Sequence, residues 1–263
     1  MERIICSMIM MMILLNSYAH SDSKQSLSYH QKGDDWEGHC SEGHNQSPID
    51  VPVSEVVATS NIFAHGTLRN MKNATLLYYH NELKVVYELG EFLLRSPEEE
   101  SRWKSLQFHF HAPAEHHIDG YEYEVELHIV FQNVDDPHRL LVTGILLTTD
   151  PNAERNEFVN SLRLNFIREG EYKRDIVLEG LYEKFSGAIT YNYKGSLTAP
   201  PCTESVEWVL IGEPLRLPYD QIRLFLDIWP HNEDFAQGHG SDRKIQSVNG
   251  REIRMFRFDE YFM

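Results

Sequence analysis

The strict alternation of residue types from Gln107 to His111 is the feature that most constrains how this chain folds. Side chains of a β-strand point alternately to opposite faces, so Gln107, His109 and His111 share one face. The phenylalanines between them point to the other face, where they can join an apolar layer. The pattern therefore predicts a half-buried strand over residues 105–111 with two imidazoles on its polar face.

A second alternating segment covers residues 121–130. Residues 118–120, which precede it, contain Asp-Gly, the favoured dipeptide of a tight hairpin turn. The two segments are predicted to pair, which would place His128 beside His109 and His111. Three neutral imidazoles on one rigid sheet face leave a fourth tetrahedral position for water, as in a catalytic zinc site.

The alternative interpretation is an ordinary structural strand, because the chain has 14 histidines and roughly 0.7 His-x-His pairs are expected by chance. Two further residues favour the zinc interpretation. Gln107 and Glu126 each lie two residues before a histidine of the predicted site, on the same strand face. Such side chains accept the second imidazole N–H and fix its tautomer, as the outer partners of zinc ligands do.

Four motifs follow one another along the chain: Gln-Phe-His-Phe-His at 107–111, Glu-His at 115–116, Glu-Leu-His at 126–128 and Gly-Ser-Leu-Thr-Ala-Pro-Pro-Cys at 195–202. In this order they closely resemble the α-class carbonic anhydrases, and Gln-Ser-Pro-Ile at 46–49 is a further family signature. The resemblance covers roughly residues 29–251. It implies a zinc enzyme that reversibly hydrates carbon dioxide to bicarbonate and a proton, by attack of zinc-bound hydroxide.

The resemblance also implies roles for individual residues. Zinc would be held by Nε2 of His109, Nε2 of His111 and Nδ1 of His128. Thr198 would accept a hydrogen bond from the zinc-bound hydroxide and donate its own proton to Glu115, which orients the hydroxide. Outside these motifs, a loop threonine and a glutamate before two histidines would be interpreted as ordinary solvated residues.

Carbon dioxide is small, apolar and uncharged, so its site is expected to be a hydrophobic wall beside the hydroxide. The resemblance assigns this pocket to Val130, Val142, Leu197, Ala199, Val206 and Trp208. Without the resemblance, the large apolar members of this set would be interpreted as plain core.

The chain differs from many family members at Ala199, where threonine or histidine is common, and at Arg243-Lys244, where the family has Arg-Pro.

A larger departure concerns the proton shuttle, which in the family is usually a histidine two residues before an apolar-x-Val pattern. Alignment of Leu83 and Val85 with that pattern places Asn81, which does not titrate, at the shuttle position. His80 is one residue away, and a one-residue shift on a strand turns a side chain to the opposite face. We expect that Asn81 occupies this position and that the usual shuttle is absent or replaced, since no glycine is present to seed a bulge. The alternative is a bulge that turns His80 inward.

The first 19 residues have the pattern of a secretory signal peptide, with Arg3 near the start, an apolar run over residues 4–15, and cleavage expected after Ala19. The apolar run is too short to span a bilayer comfortably, which takes about 20 residues, and no later stretch is long enough. An uncleaved anchor is the alternative. We therefore expect a secreted or extracytoplasmic protein.

Cysteine usage agrees with export, because signal cleavage would remove Cys6 and leave Cys40 and Cys202 as an even pair. By resemblance to exported members of the family, these two residues are expected to form a disulfide. Closing a loop of this length would contribute about 4 to 5 kcal/mol in the chain-entropy treatment. Two free buried thiols are the alternative.

Residues 20–263 are expected to form one domain, because no Gly/Ser/Pro-rich linker or repeat interrupts them. The net charge of −16 argues against nucleic-acid binding, which requires a basic face.

Strand patterns at 74–79, 82–89, 105–111, 122–131, 140–148, 188–193 and 206–211 predict a mainly β (α+β) fold with a large, mostly antiparallel central sheet. Helices are predicted at 153–164 and from residue 218. The resemblance implies a twisted ten-stranded sheet with peripheral helices.

Two other functions remain open from the sequence. One is a non-catalytic, carbonic anhydrase-like binding or storage protein, although such members commonly lose ligand histidines and all three are present here. The other is a zinc hydrolase that uses the same hydroxide on esters. The sequence predicts no oligomeric state.

Overall fold

A computed structural model describes residues 28–79, 82–165, 167–229, 238 and 240–259. In this part of the chain the strands are β1 (Asp50–Val51), β2 (Val57–Ala58), β3 (Phe63–Leu68), β4 (Met71–Tyr79), β5 (Glu82–Val86), β6 (Gly90–Arg95), β7 (Glu100–His111), β8 (His117–Ile118), β9 (Tyr121–Glu122), β10 (Val125–Asn133), β11 (Leu140–Thr149), β12 (Gly170–Ile176), β13 (Ile189–Gly195), β14 (Val206–Leu217) and β15 (Arg254–Arg257). The α-helices are α1 (His39–Glu42), α2 (Glu157–Leu162) and α3 (Tyr219–Leu226), and short 3-10 helices cover Val53–Glu55 and Tyr182–Phe185.

Twelve of these strands form one large sheet, and β1, β8 and β9 form a small one. Ten strands of the large sheet follow the order β12-β4-β5-β7-β10-β11-β14-β13-β15-β2. Among its described pairings, β11 with β14 and β15 with β2 are parallel and the others are antiparallel. The predicted mainly β fold with a large, mostly antiparallel sheet is confirmed.

The large sheet has twelve strands, not the ten that the resemblance implied, and β3 and β6 lie off the ten-strand path. They are accommodated because β7 is 12 residues long. Its first half pairs with β6 and its second half with β5, on the same edge of the strand. The second half of β7, which carries the alternating histidines, is therefore an interior strand between β5 and β10.

The two faces of β7 differ as the alternation predicts. Phe108 and Phe110 are each 1% exposed and belong to the main hydrophobic core. The ring of Phe110 lies 4.7 Å from that of Phe225 in α3, and the ring of Phe108 lies 5.5 Å from that of Phe158 in α2. Each such burial stabilises the fold by about 1.5–3 kcal/mol. This packing fixes which face of β7 the intervening histidines occupy.

The turn at Asp119-Gly120 is present, but it connects β8 to β9 and not β7 to β10. Asp119 (φ 48°) and Gly120 (φ 76°) both have left-handed backbone conformations, which a tight two-residue hairpin turn requires. The chain leaves the large sheet after His111 because β8 pairs with β1 in the small sheet. The strand predicted at 121–130 is consequently divided, and β10 begins at Val125.

The helices are shorter than the sequence pattern suggests. The side chain of Asn156 accepts hydrogen bonds from two backbone N–H groups in the first turn of α2, so this helix begins after Asn156 and not at residue 153. It ends before Arg163, whose backbone is left-handed (φ 51°). Pro218 lies one residue before α3 as its N-cap. No helix in the described part of the chain is long and apolar enough to cross a lipid bilayer.

The disulfide predicted between Cys40 and Cys202 is present and joins residues 162 positions apart. Both cysteines are buried in a small cluster with Tyr29 and Trp36. The bridge therefore ties the amino-terminal segment to the loop between β13 and β14, which carries Thr198.

Removal of this bridge is expected to lower the free energy of unfolding by about 2–5 kcal/mol, because the unfolded chain regains the entropy of a long open loop. The double variant Cys40→Ser/Cys202→Ser should show this loss in urea unfolding followed by tryptophan fluorescence. The wild-type protein in a thiol reductant provides a second measurement. Equal urea midpoints for the oxidised, reduced and double-variant proteins would contradict the expectation.

Candidate metal centre

Three imidazoles converge on the face of the large sheet opposite the main core. His109 and His111 lie on β7 and His128 lies on β10, where its Cα is the direct partner of His109. One ring nitrogen from each histidine lies within 4.8 Å of the other two. His111 and His128 are buried, and His109 is partly exposed. The sheet register therefore assembles the group that the alternation predicted.

The outer nitrogen of each imidazole has an acceptor that sets its tautomer. Nδ1 of His109 lies 2.9 Å from Oε1 of Gln107, and Nδ1 of His111 lies 2.7 Å from the backbone carbonyl of Ser241. Nε2 of His128 lies 2.8 Å from Oε1 of Glu126. Because these partners accept hydrogen bonds, the three outer nitrogens carry the protons. The inner nitrogens are left with lone pairs directed at one another.

The inner side of this group fits a metal cation. Nε2 of His109 and Nδ1 of His128 are 3.3 Å apart, although both are acceptors in these tautomers. Nε2 of His111 is buried and has no hydrogen-bond partner in the described part of the chain. Converging lone pairs without a donor are costly to bury unless a cation lies between them. The His triad can therefore hold a metal ion.

Burial also favours the neutral form of His109 and His128, because it lowers the pKa of both side chains. It is the main cause that lowers the pKa of His109 well below its usual range, and repulsion from His111 or His128 in protonated form would act in the same direction. Burial likewise lowers the pKa of His128, and the nearby Glu126 carboxylate opposes it only in part. Neutral imidazole is the form that binds a metal. At neutral pH the protein therefore presents the ligand form of these two side chains.

Glu126 is a fully buried carboxylate that organises the region behind the triad. Oε1 accepts hydrogen bonds from the rings of His128 and His116, and Oε2 accepts from the backbone N–H groups of Glu115 and His116. Burial alone would raise the pKa of Glu126, but the two imidazoles hold it well below its usual range. A Cβ at Gly144 would lie 2.8 Å from Oε1, so glycine is needed there to make room for the carboxylate.

Several residues that support the site were not assigned roles from the sequence. Nε2 of His116 lies 2.6 Å from the hydroxyl of Tyr193, which in turn lies 2.9 Å from the hydroxyl of Ser47. His116 and Ser47 fall within the recognised motifs, so their positions carried a signal although their contacts did not. Tyr193 carried none beyond a strand pattern.

The segment from Ser241 to Arg243 is the second support that sequence reasoning missed. The Ser241 carbonyl accepts from His111, and its backbone N–H donates to the carbonyl of Ala112 at 3.0 Å. The backbone N–H of Arg243 donates to Oε1 of Glu115 at 2.9 Å, while its guanidinium donates to the carbonyl of Cys40 at 2.7 Å. The Ser241 carbonyl and the Arg243 N–H are backbone groups, which leave no trace in a residue pattern. Arg243 lies at the family's Arg-Pro position, but its contacts were not predicted.

Glu115 is 1% exposed and points toward the triad. Its Oε2 lies 3.4 Å from Nε2 of His111 and 3.9 Å from Nδ1 of His128. This oxygen has no hydrogen-bond partner in the described part of the chain, so the predicted bond from Thr198 is not formed in this structure. Thr198 itself is buried in the loop between β13 and β14. The roles of both residues stay predictions.

Five of the six residues predicted for the carbon dioxide pocket lie in or against one apolar cluster. Val130 is the direct partner of Val142, which is the direct partner of Trp208, across three adjacent strands. These three and Val206 are buried in one apolar cluster, and Leu197 packs against it. The indole N–H of Trp208 donates to the carbonyl of Ser196 at 3.0 Å and so attaches the following loop to the sheet. Ala199, in that loop, is partly exposed.

Some predictions fall on parts of the chain for which no structure is described. His80 and Asn81, the two candidates for the shuttle position, lie outside the described residues. The same holds for residues 1–19 and for Cys6. These remain expectations from the sequence.

A mostly antiparallel sheet carries three imidazoles on two adjacent strands, supported by a buried carboxylate and flanked by an apolar cluster, and this arrangement could hold a metal ion. A sequence model of the eukaryotic-type carbonic anhydrase family matches residues 31–257. Alpha carbonic anhydrase 3 of Arabidopsis thaliana is 30% identical over 225 residues, which cover 81% of this chain and 75% of that protein. Alpha carbonic anhydrase 7 of the same plant is 27% identical over 245 residues, with coverages of 92% and 84%.

Solved structures agree with this similarity. A halotolerant carbonic anhydrase from Dunaliella salina superposes with a TM-score of 0.69 at 25% identity, and the match covers 89% of this chain and 99% of that one. The chain belongs to the eukaryotic-type, or α-class, carbonic anhydrase family. Its enzyme class is accordingly carbonic anhydrase.

Proposed function

We propose that this protein is a zinc enzyme that reversibly hydrates carbon dioxide to bicarbonate and a proton. The observation that carries the proposal is the convergence of three imidazole lone pairs, from His109, His111 and His128, beside an apolar wall. Zinc fits this donor set, because it favours tetrahedral coordination and catalytic sites commonly supply three protein ligands. When bound, zinc provides a nucleophile at neutral pH by lowering the pKa of water to about 7.

The residues around the triad are proposed to fix its geometry. Gln107, Ser241 and Glu126 hold the outer nitrogens, so each ring is prevented from turning and each inner nitrogen keeps its lone pair. Glu126 is itself restrained by four hydrogen bonds from its surroundings. Outer partners of this kind typically change metal affinity or activity by about 10- to 100-fold when they are removed.

Thr198 and Glu115 are proposed to orient the attacking oxygen, with the Thr198 hydroxyl accepting from it and donating to Glu115. The hydrogen bond from the Arg243 backbone to Oε1 supports this role, because it leaves Oε2 as the acceptor available to Thr198. The carboxylate is buried and cannot easily be satisfied by bulk water. The Glu115 carboxylate is proposed to act through its position. When the Thr198 hydroxyl donates its proton to Glu115, its lone pair is directed at the attacking oxygen.

The wall formed by Val130, Val142, Val206 and Trp208, with Leu197 packed on it, is proposed to bind carbon dioxide. Transfer of an uncharged apolar molecule from water to this wall is favourable. The wall offers no group that would hold the charged product. Substrate binding is therefore expected to be weak and release of bicarbonate rapid.

We further propose that residues 1–19 are removed on export and that residues 20–263 form the mature domain. The Cys40–Cys202 disulfide supports export, because such bridges persist in oxidising compartments and are rare in reducing ones. Mass spectrometry of the exported protein tests this point, and a mature chain that retains residue 1 would contradict it.

The test of the proposed function combines a zinc determination with two activity assays on the purified mature chain. One zinc per chain and rapid carbon dioxide hydration in stopped flow are expected, with slower hydrolysis of an activated ester. Zinc with ester hydrolysis but without hydration would favour the esterase alternative. Zinc without either activity would favour a binding protein, and a chain that takes up no zinc would contradict the proposal altogether.

A further inference from the structure

Lys84 is a charged residue beside the metal centre to which no role has yet been given. It lies on β5, where its Cα is the direct partner of His109 on β7. Directly opposed residues of an antiparallel pair point to the same face, with Cβ atoms about 4.5–5.5 Å apart. The flanking residues Leu83 and Val85 lie in the main core on the other face. Lys84 therefore shares the face of His109.

The ammonium group of Lys84 has a partner on its own strand. The Lys84 side chain is 18% exposed, and its Nζ forms an ion pair with Oε2 of Glu82, whose side chain is 37% exposed. The strand register places the base of the Lys84 side chain directly beside that of His109.

The positive charge of Lys84 contrasts with the negative charge of the protein as a whole. The protein carries a net charge of −16, which by itself repels anions. At physiological ionic strength, however, charges farther away than about 8 Å are largely screened. The local potential is therefore set by the charges next to the site, where Lys84 adds a positive charge to the carboxylates of Glu82, Glu115 and Glu126.

We propose that Lys84 is an anion-binding residue of this site, which draws small monovalent anions of the bicarbonate class to the metal-facing side of His109, while Glu82 moderates its charge. This inference rests on the proposed function, since bicarbonate is the product of that reaction. Lys84 would give the pocket a positively charged side chain that attracts anions, which the apolar wall alone does not. The residue affects how strongly the product and competing anions are held, and it does not act on the reacting bond.

The inference is tested by equilibrium anion binding to the cobalt-loaded protein, with the visible spectrum as readout and thiocyanate and bicarbonate as probes. Lys84→Met should raise both dissociation constants about 3- to 10-fold, because one nearby charge is lost at a partly exposed site. Glu82→Gln should lower them, since it leaves Lys84 unpaired. Lys84→Arg should keep them near the wild-type values, because it retains the charge.

Lys104→Met is the matched control, because it removes the same charge from an exposed position of the same strand that contains His109. It should change the dissociation constants less than twofold. Equal anion affinities in the Lys84→Met and wild-type proteins, both loaded with cobalt, would overturn this inference and leave the proposed function standing. A wild-type protein that takes up neither cobalt nor zinc would overturn both.

Discussion

Replacement of His128 with alanine is expected to abolish carbon dioxide hydration and to weaken zinc binding by more than about 100-fold. Loss of an outer partner already costs about 10- to 100-fold in affinity, so loss of a ligand should exceed that range. The remaining two imidazoles leave the cation short of one donor, and Glu126 loses one of its hydrogen-bond donors. Zinc retained after dialysis against a graded series of chelators measures the affinity, and stopped flow measures the rate.

His117→Ala is the matched control for this experiment. His117 adjoins the buried His116 but lies on β8 with its side chain partly exposed, outside the triad. This variant should keep one zinc and the wild-type rate. Stoichiometric zinc and full activity in His128→Ala would show that the ligand assignment is wrong. Retained zinc with no activity would instead indicate that His128 acts only in the reaction.

Thr198→Ala and Glu115→Gln are each expected to keep zinc and to lose about 100-fold in kcat, the scale on which a positioned hydrogen bond acts in catalysis. Glu115→Gln preserves the shape of the side chain, and its carbonyl oxygen can still accept from the backbone N–H of Arg243. The substitution removes the acceptor for the Thr198 hydroxyl, because the amide has an NH2 donor where the carboxylate had its second oxygen.

The double variant distinguishes a joint role from two separate ones. If Thr198 and Glu115 act as one unit, Thr198→Ala/Glu115→Gln should be little slower than either single variant, since effects within a unit are not additive. Glu124→Gln removes a carboxylate charge close along the chain and should leave the rate unchanged. Wild-type rates in both single variants would contradict the orienting role. A multiplicative loss in the double variant would contradict the coupling.

The local features of this site could be predicted from residue order. Alternation along β7 is a local property with a period of two, so it assigned Phe108 and Phe110 to the core and His109 and His111 to the opposite face. The mainly β fold and the Cys40–Cys202 bridge were likewise predicted, the bridge by resemblance to exported members of a family. In each case the signal lay in side-chain chemistry at short spacing or within a recognisable motif.

Features that join distant parts of the chain could not be predicted in this way. The hairpin turn was identified correctly but placed between the wrong strands, because pairing of β8 with β1 depends on a segment far away in sequence. Strands β3, β6, β12 and β15 were not among those predicted, and room for β3 and β6 depends on the length of β7. The register of a sheet is decided by the packing of all its strands together.

The sequence by itself therefore determined the residue types of the site, the face of β7 that carries two of them, and the family to which their motifs point. Tertiary structure alone decided that the Ser241 carbonyl would set the tautomer of His111, that Arg243 would restrain Glu115, and that Lys84 would lie opposite His109. The physical reason is that these are contacts between segments far apart along the chain, two of them made through backbone atoms that every residue has. A pattern of side chains cannot encode such contacts until the fold brings the segments together.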